Sequence, residues 1–397
     1  MDETEETSTT EWTRVPDPKC AGRLFSQELL HRGKDSGSLS LSLDLRHSRG
    51  EQDRAIASLY RRDGLQWSSP LNCALKGDVA TGSGVDRHII STVISRLMSG
   101  LHLNLGGVAV TRIFEGESDH LIPSVSEELL ENNMFAMAGR MIGHSFLHNG
   151  PSFPGLSPAI VHVLFGGSLE TAPVTIRDCP DLDIREIVEK LEGDAEFKED
   201  DSIHQLCLSW DFPAPSNSNR KWLAKKLLLH AVIEQTRRQI NHFRRGLEDT
   251  GIWTLLSHRR DVIPVLFPRE SEAQVTPQMI LDCITWPSSI TVIFDKYEDK
   301  YLGSDEFCTI DIKRVSSFLK MFIENASPAE LKNLVKFWIG WEVPATEMKV
   351  EIVEGTFPTS STCFEKLKLP RHYTEYNKFH LELCACISTC YSGFGCP

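Results

Sequence analysis

The sequence lacks the features that would direct a chain to a membrane or to a secretory route. No apolar run reaches the roughly 20 residues that a membrane-spanning helix needs. The first residues, MDETEETSTTEW, are acidic and contain neither the positive nor the apolar region of a signal peptide. We therefore expect a cytoplasmic or nuclear protein, or one present in both places, whose eleven cysteines stay mostly reduced.

Excess positive charge is also missing. Lysine and arginine number 42 against 55 acidic residues, which gives a net charge of −13 and argues against a nucleic-acid surface. Hydrophobic residues make up 41% and charged residues 24%, as in an ordinary globular protein. A length of 397 residues suggests two or more domains.

Motifs of several enzyme classes are absent. His144 and His148 are spaced i, i+4, but they lack the glutamate of an H-E-x-x-H zinc protease. The glycine pairs at 106–107 and 166–167 are not followed by the Lys-Ser/Thr of a phosphate-binding loop. Cys384, Cys386, Cys390 and Cys396 crowd the tail, but Cys384 and Cys386 lie about 200° apart on a helix, unlike the turn-borne C-x2-4-C pairs of zinc sites. We expect no metal site and no cofactor.

The chain divides into three parts by composition. Residues 1–64 have few large apolar side chains, and we expect an acidic and polar segment that is weakly ordered or accessory; its alternating LSLSLDL fits a strand without a visible partner. Residues 65–343 show mainly helical periods. At Gly340 and Pro344 the period changes to alternation, so 341–346 is the expected boundary and 344–397 a small mixed domain. The fold class is α+β.

Several elements follow from apolar spacing and from start and stop signals. The helix at 88–101 has Ile89, Val93, Leu97 and Leu101 on its core face. Residues 348–353, MKVEIV, alternate like a strand. We expect the remaining helices at 125–150, 157–167, 183–193, 220–251, 275–286, 311–325, 328–341 and 375–390.

Cys363 occupies an unusual setting in FPTSSTCFEKLKLP, residues 357–370. Its neighbours are the polar, turn-forming residues that mark a surface loop, so Cys363 is either an unreactive loop thiol or a nucleophile. A nucleophilic thiolate needs a nearby donor, cation or base. Thr362 offers a hydroxyl and His372 is one candidate base, but fourteen histidines leave the pairing open.

The arrangement around Cys363 resembles the carboxy-terminal lobe of HECT-type ubiquitin ligases. The resemblance rests on Thr362-Cys363-Phe364, on the following L-x-L-P turn at 367–370, and on Phe394 near the chain end. It extends upstream through FEGESDHLIPS, GRMIGHSFLHN, FWIGWEVP and MKVEIV, and covers about 65–397. The likeness is to a divergent vertebrate group of that family, the group around the G2/M-phase-specific ubiquitin ligase.

The resemblance implies a bilobal HECT-like fold, with a mostly helical N-lobe joined by a hinge to a small α/β C-lobe. It implies that Cys363 accepts ubiquitin as a thioester from a conjugating enzyme and passes it to a substrate lysine. Thr362 would support the loop, and Phe394 would position the C-terminus. The implied partners are a conjugating enzyme, ubiquitin and a protein substrate, with no nucleic acid and no membrane.

The sequence departs from the family pattern at two places. Ser361 stands where the family commonly has histidine before Thr-Cys. In the second place the family has a D-x-G-G run followed by Arg-Glu, and this chain has TGSGVDRHII at 81–90. Ser83 and Gly84 fill the two glycine positions only by half. Arg87 matches the arginine, but His88 replaces the acid. We interpret that run as scaffold. Glu365 is the acidic residue nearest to Cys363 in sequence.

Three hypotheses remain open at this point. The first is an active HECT-type ligase with Cys363 as acceptor. The second is a catalytically weakened HECT-like module that binds ubiquitin or a conjugating enzyme as a regulator. The third is an unrelated cysteine hydrolase, which predicts a histidine within hydrogen-bonding reach of Cys363.

Overall fold

A computed structural model describes residues 11–78, 80–107, 109–193, 201–287 and 305–389. The secondary structure is rich in helices, with small sheets, and so belongs to the α+β class. The contacts divide the chain into two compact units, each built from discontinuous segments. Within the described residues, no helix combines the length and the apolar composition that a membrane span requires.

The first unit comprises Met1–Gly37, Ile56–Pro70 and Ile94–Ala273. Helix α3 (Arg49–Tyr60) and helix α4 (Ser83–Ser99) contribute residues to both units. The other elements of the first unit are α1 (Glu11–Arg14), α2 (Pro18–Gly33), β3 (Phe114–Glu115), β4 (Ile122–Pro123), α5 (Glu127–Glu131), α6 (Met134–Leu147), α7 (Pro158–Leu164), α8 (Leu182–Glu192), α9 (Asp201–Ser209), α10 (Arg220–Leu229), α11 (Arg237–Asp249), α12 (Trp253–His258) and α13 (Ile263–Leu266).

Helix α6 forms the centre of the first unit. Nearly all of its side chains are buried, as the apolar sequence of MFAMAGRMIG predicts. It packs closely on α11 because glycines lie at the crossing. A Cβ on Gly139 would come within 2.3 Å of the Phe243 carbonyl oxygen, and one on Gly246 within 2.0 Å of the Ala136 carbonyl oxygen. The glycines therefore allow backbone to approach backbone.

The second unit comprises Ser38–Ala55, Leu71–Val93 and Gln274–Pro397. Its further elements are β1 (Leu39–Asp44), β2 (Leu71–Lys76), α14 (Pro277–Leu281), β5 (Ile284–Thr285), α15 (Asp305–Asn325), α16 (Pro328–Ile339), β6 (Met348–Val353), β7 (Thr359–Ser361), β8 (Lys366–Pro370) and α17 (Tyr376–Ser388). Strands β1 and β2 pair in parallel. The larger sheet has the order β5-β6-β8-β7, in which only the β7–β8 pair is antiparallel.

Residues 18–64 differ from the weakly ordered segment that their composition suggested. They form α2, β1 and α3, and the leucines of β1 at 39, 41 and 43 are buried. The strand alternates as the sequence indicated, and its partner is β2, which lies after α3. A parallel partner is necessarily distant in sequence, which is why inspection of the neighbouring residues missed it.

One hydrophobic core runs through the C-terminal part of the second unit. It joins α15 and α16, through Phe322 and Trp338, to the sheet and α17, through Val350, Leu367 and Phe379. All five side chains are almost fully buried. The domain boundaries at 64 and 343 stay predictions. The shared core nevertheless places α16, which precedes 343, with the strands that follow it.

Candidate functional site

Cys363 lies at the tip of the hairpin between β7 and β8. Thr362–Phe364 form a single 3-10 turn, and Glu365 follows in the left-handed conformation with φ 56° and ψ 35°. The Cys363 side chain is exposed, whereas Thr362 next to it is only 8% exposed. The turn therefore presents the thiol at the surface on a backbone that is anchored by its neighbour.

The strand after the turn holds the hairpin on the core. Leu367 and Leu369 are fully buried, and they alternate with the half-buried Lys366 and Lys368. The carbonyl oxygen of Glu365 accepts hydrogen bonds from the Lys349 backbone N–H at 2.8 Å and from the Trp338 indole N–H at 2.9 Å. These two hydrogen bonds from the core therefore hold the Glu365 backbone in place.

The run at 81–90 lies directly against this turn, within the same unit. The Cys363 Sγ donates to the Thr81 carbonyl oxygen at 3.3 Å. A Cβ on Gly82 would lie 3.3 Å from that Sγ, and a Cβ on Gly84 only 2.1 Å from the Thr362 Oγ1. Our interpretation of this run as scaffold was incomplete, because it also forms one wall of the site.

Arg87, on the first turns of α4, contacts the Cys363 turn at both ends. Its guanidinium donates to the Thr362 carbonyl oxygen at 3.3 Å, to a Glu365 carboxylate oxygen at 2.8 Å and to the Ile339 carbonyl oxygen at 3.2 Å. The same guanidinium lies 5.7 Å from the centre of the Trp341 ring. Sequence reasoning noticed Arg87 as a family match but assigned it no contact with the turn.

A buried polar network lies behind Arg87 on α4. The Lys336 ammonium donates to Glu342 at 3.0 Å and to the Ser91 hydroxyl at 2.8 Å, and Ser91 donates to Glu342 at 2.6 Å. Burial by itself would raise the pKa of Glu342, but Lys336 and the hydrogen bonds outweigh it, so the pKa is lowered. Burial, assisted by the Lys336 charge, lowers the pKa of His88 to about 4.

The remaining residues that the sequence pointed to are Ser361, His372 and Phe394. Ser361 begins the turn, but its side chain makes no capping hydrogen bond there. His372 lies against the Tyr373 ring, with ring centres 4.4 Å apart. Among the described residues, no histidine forms a hydrogen bond with Cys363, so the contact expected of a cysteine hydrolase is not seen there. Phe394 lies outside the described residues.

Cys384 belongs to a small group of possible metal ligands. One ligand atom from each of Glu330, His380 and Cys384 lies within 4.8 Å of the others. A Glu330 carboxylate oxygen already accepts two hydrogen bonds from Ser327, as part of the capping box of α16. Structural zinc sites normally use four protein ligands. Within the part of the chain that the structure describes, this group offers three.

Four residues of the site were not identified as such from the sequence: Thr81, Gly84, Arg87 and Trp338. The one available signal was the pair of glycines at 82 and 84, because glycines spaced in this way indicate a close approach of other atoms. Nothing in the sequence indicated what approaches them. The carbonyl of Thr81 is a backbone group, which leaves no sequence signature.

The chain has an α+β fold, and a hairpin turn in its C-terminal part exposes the Cys363 thiol. Residues 109–397 match the model of the family described as HECT-domain (ubiquitin-transferase). This match covers well over half of the chain. The chain belongs to the HECT-domain family, and the resemblance noted from the sequence is confirmed.

The relatives found by sequence comparison are distant members of one group. The chain is 26% identical over 196 residues to the G2/M phase-specific E3 ubiquitin-protein ligase of Gallus gallus, across 47% of this chain and 26% of that protein. It is 25% identical over 146 residues to the protein of the same name in Homo sapiens, across 35% of this chain and 20% of that protein. The chain therefore matches about a quarter or less of the length of these curated relatives.

Proposed function

We propose that the chain is a ubiquitin ligase that accepts ubiquitin on Cys363 and transfers it to a lysine of a protein substrate. The observation that carries this proposal is the exposed thiol at the tip of an anchored hairpin, in a chain of the HECT-domain family. The name of the G2/M phase-specific relatives, E3 ubiquitin-protein ligase, supports the same activity for this chain.

The chemistry consists of two acyl transfers. In the first, the Cys363 sulfur attacks the thioester carbonyl that joins ubiquitin to a conjugating enzyme. A carbon–sulfur bond to Cys363 forms, the one to the conjugating enzyme breaks, and the thiol proton ends on the departing cysteine. In the second, a substrate amine attacks the new thioester, an amide bond forms as the carbon–sulfur bond to Cys363 breaks, and a proton lost by the amine ends on the Cys363 sulfur. Both steps depend mainly on positioning, because the acyl group is already activated.

Contacts in the structure support the roles that we propose for the other residues. Thr362 supports the loop, since its buried side chain fits against Gly84 while its carbonyl is held by Arg87. Phe364, 71% exposed beside the thiol, offers an apolar surface to an incoming protein. We further propose that Phe394 positions the C-terminus for the second transfer, as the family pattern implies.

The bilobal arrangement is also part of the proposal. A hinge would let the lobe that carries Cys363 turn between the conjugating enzyme and the substrate, since one thiol must face two partners in turn. The sequence predicts this hinge at 341–346. Because one core joins α14, α15 and α16 to the strands around β6, it favours a flexible connection upstream of all three helices instead.

A regulatory module remains the second candidate, and one observation favours it. Cys363 donates to the Thr81 carbonyl, and the nearby Glu365 carboxylate is paired with Arg87. In this arrangement, the thiol proton is held by the Thr81 carbonyl, and the Glu365 carboxylate is occupied by an ion pair. A protein that stays in this state would bind ubiquitin or a conjugating enzyme without transfer.

The test is a thioester assay with matched cysteine variants. The purified chain is mixed with ubiquitin, activating enzyme and a panel of conjugating enzymes, and the reaction is quenched without reductant. We expect a ubiquitin adduct that a thiol reagent removes, that is lost in Cys363→Ala and that is kept in Cys386→Ala. Absence of the adduct with every conjugating enzyme, from folded protein, would favour the regulatory module.

A further inference from the structure

We propose that Arg87 is a positioning residue that docks the Cys363 turn on the 81–87 segment and so sets the direction of the thiol. This inference rests on the proposed function, because the docking of the turn is relevant to catalysis only if the Cys363 sulfur accepts ubiquitin. It concerns a residue on α4, more than 270 positions away from Cys363 in the chain and without contact to the reacting atom.

The contacts of Arg87 form a bridge across the turn. One terminal nitrogen donates hydrogen bonds to the Thr362 carbonyl, just before Cys363, and to the Ile339 carbonyl at the end of α16. The other terminal nitrogen pairs with the Glu365 carboxylate, two residues after Cys363. A planar guanidinium suits this task, because its donors have a fixed spacing that an ammonium lacks.

The pair with Glu365 is more than an ordinary surface ion pair. The two side chains are 18% and 30% exposed, so water screens them less than it screens open pairs. The Trp341 ring, 5.7 Å from the guanidinium carbon, restricts that group further. Arg87 is therefore held by carbonyls, a carboxylate and an aromatic ring at the same time.

The conformation of Glu365 shows why the turn needs this support. A residue with φ 56° and ψ 35° lies in the left-handed region, which is unfavourable for residues other than glycine, asparagine and aspartate. Glutamate has no special preference for this region. In this conformation its carboxylate pairs with Arg87, and we infer that the ion pair offsets part of the strain.

Docking the turn also determines the position of the Cys363 sulfur. With both ends of the turn held, the Cys363 Sγ lies 3.3 Å from the Thr81 carbonyl oxygen and faces Gly82. Without Arg87, the turn is free to leave the 81–87 segment. The thiol then becomes more accessible to small reagents but is less well oriented toward a protein-bound thioester.

The first measurement uses no ubiquitin. The rate of iodoacetamide labelling at Cys363 is followed by peptide mass spectrometry in wild type, Arg87→Ala, Arg87→Lys and Glu365→Gln. We expect labelling to rise roughly 5-fold in Arg87→Ala and Glu365→Gln, as loss of one half-buried charge pair implies. Arg87→Lys should be intermediate, and the Arg87→Ala, Glu365→Gln double variant should equal the single ones.

The second measurement is the rate of ubiquitin acceptance under single-turnover conditions. We expect it to fall about 10-fold in Arg87→Ala, because a misdirected nucleophile loses rate even when it is more exposed. Opposite changes in the two rates are the signature of positioning, whereas general unfolding would be seen in the melting temperature. Arg371→Ala, which breaks the exposed pair with Glu354 in the same unit, is the control and should change neither rate.

Unchanged labelling in both Arg87→Ala and Glu365→Gln, from folded protein, would overturn the proposal. So would additive effects in the double variant, since the two residues would then act independently. If the wild type accepts no ubiquitin at all, the proposed function fails. The labelling experiment still decides the role of Arg87.

Discussion

Gly84→Ala is the substitution whose effect can be worked out most directly from the site. The added Cβ would lie 2.1 Å from the Thr362 Oγ1, 2.9 Å from the Thr362 Cβ and 3.5 Å from the Cys363 backbone nitrogen. To reach an ordinary contact of 3.4 Å, the Thr362 hydroxyl would have to move away by about 1.3 Å, the difference between 3.4 and 2.1. Thr362 is buried beside the turn, so the turn would move with it.

The substitution should affect both stability and activity. Overpacking costs about 1–3 kcal/mol, but alanine in the first turn of α4 recovers up to about 1 kcal/mol of helix propensity over glycine. We expect the free energy of unfolding to fall by no more than about 3 kcal/mol. A displacement of about 1 Å at a reacting group can cost about 100-fold in rate, so ubiquitin acceptance should fall by about 100-fold in protein that is still folded.

The assay compares Gly84→Ala with Gly37→Ala. Nothing lies within 4 Å of a Cβ on Gly37, so that variant controls for the chemical change alone. Both proteins are examined by urea denaturation and by single-turnover thioester formation. If Gly84→Ala accepts ubiquitin at the wild-type rate while it remains folded, the 81–84 segment does not form a wall of the working site, and the reasoning is refuted.

Three further predictions concern the core behind the turn. Trp338→Phe removes the indole donor to Glu365 and leaves a small cavity, so urea denaturation should show a loss of about 1–3 kcal/mol. Lys336→Met leaves the buried Glu342 without its cation and should lower the free energy of unfolding by about 3–5 kcal/mol in the same assay. Adding Glu342→Leu should recover much of this loss. The pKa of His88 is about 4 in the fold, against 6.5 when unfolded, so between these values the unfolded chain binds more protons. Stability should therefore fall as pH drops from 6.5 to 4, by about 3 kcal/mol from this residue, and His88→Gln should flatten that part of the pH profile; an unchanged profile would contradict it.

Local periodicity accounted for most of the helices. The spacing at 88–101 predicted α4, and Ile89, Val93 and Leu97 are buried as expected. The split before Pro328 between α15 and α16 is confirmed, with Ser327 as the N-cap. These features were predictable because apolar spacing, caps and proline act within a few residues of one another.

The long helix predicted from 220 shows where periodicity fails. The structure breaks it with a π-helical segment, His230–Glu234, between α10 and α11. The Thr236 hydroxyl donates back to the Val232 carbonyl at 2.7 Å in this region. One extra residue per turn hardly alters an apolar pattern, so nothing in the sequence indicated this break.

The site was predictable only in part, for a similar reason. Cys363 and Thr362 could be proposed from the sequence because the turn and its motif are contiguous. Their contacts with Thr81, Gly84 and Arg87 depend on tertiary packing between segments far apart in the chain. A single sequence contains no information about which distant segments meet. The predicted role of Phe394 stays a prediction.

The most direct test of the central claim is the chemical nature of the ubiquitin bond in Cys363→Ser. If Cys363 is the acceptor, the adduct in this variant changes from a thioester, which a thiol reagent cleaves, to an oxygen ester, which resists the reagent but yields to alkali. Peptide mass spectrometry should then find the C-terminal glycines of ubiquitin on the peptide that contains position 363. A thiol-labile adduct that persists in Cys363→Ser would contradict the account, because another cysteine would then be the acceptor.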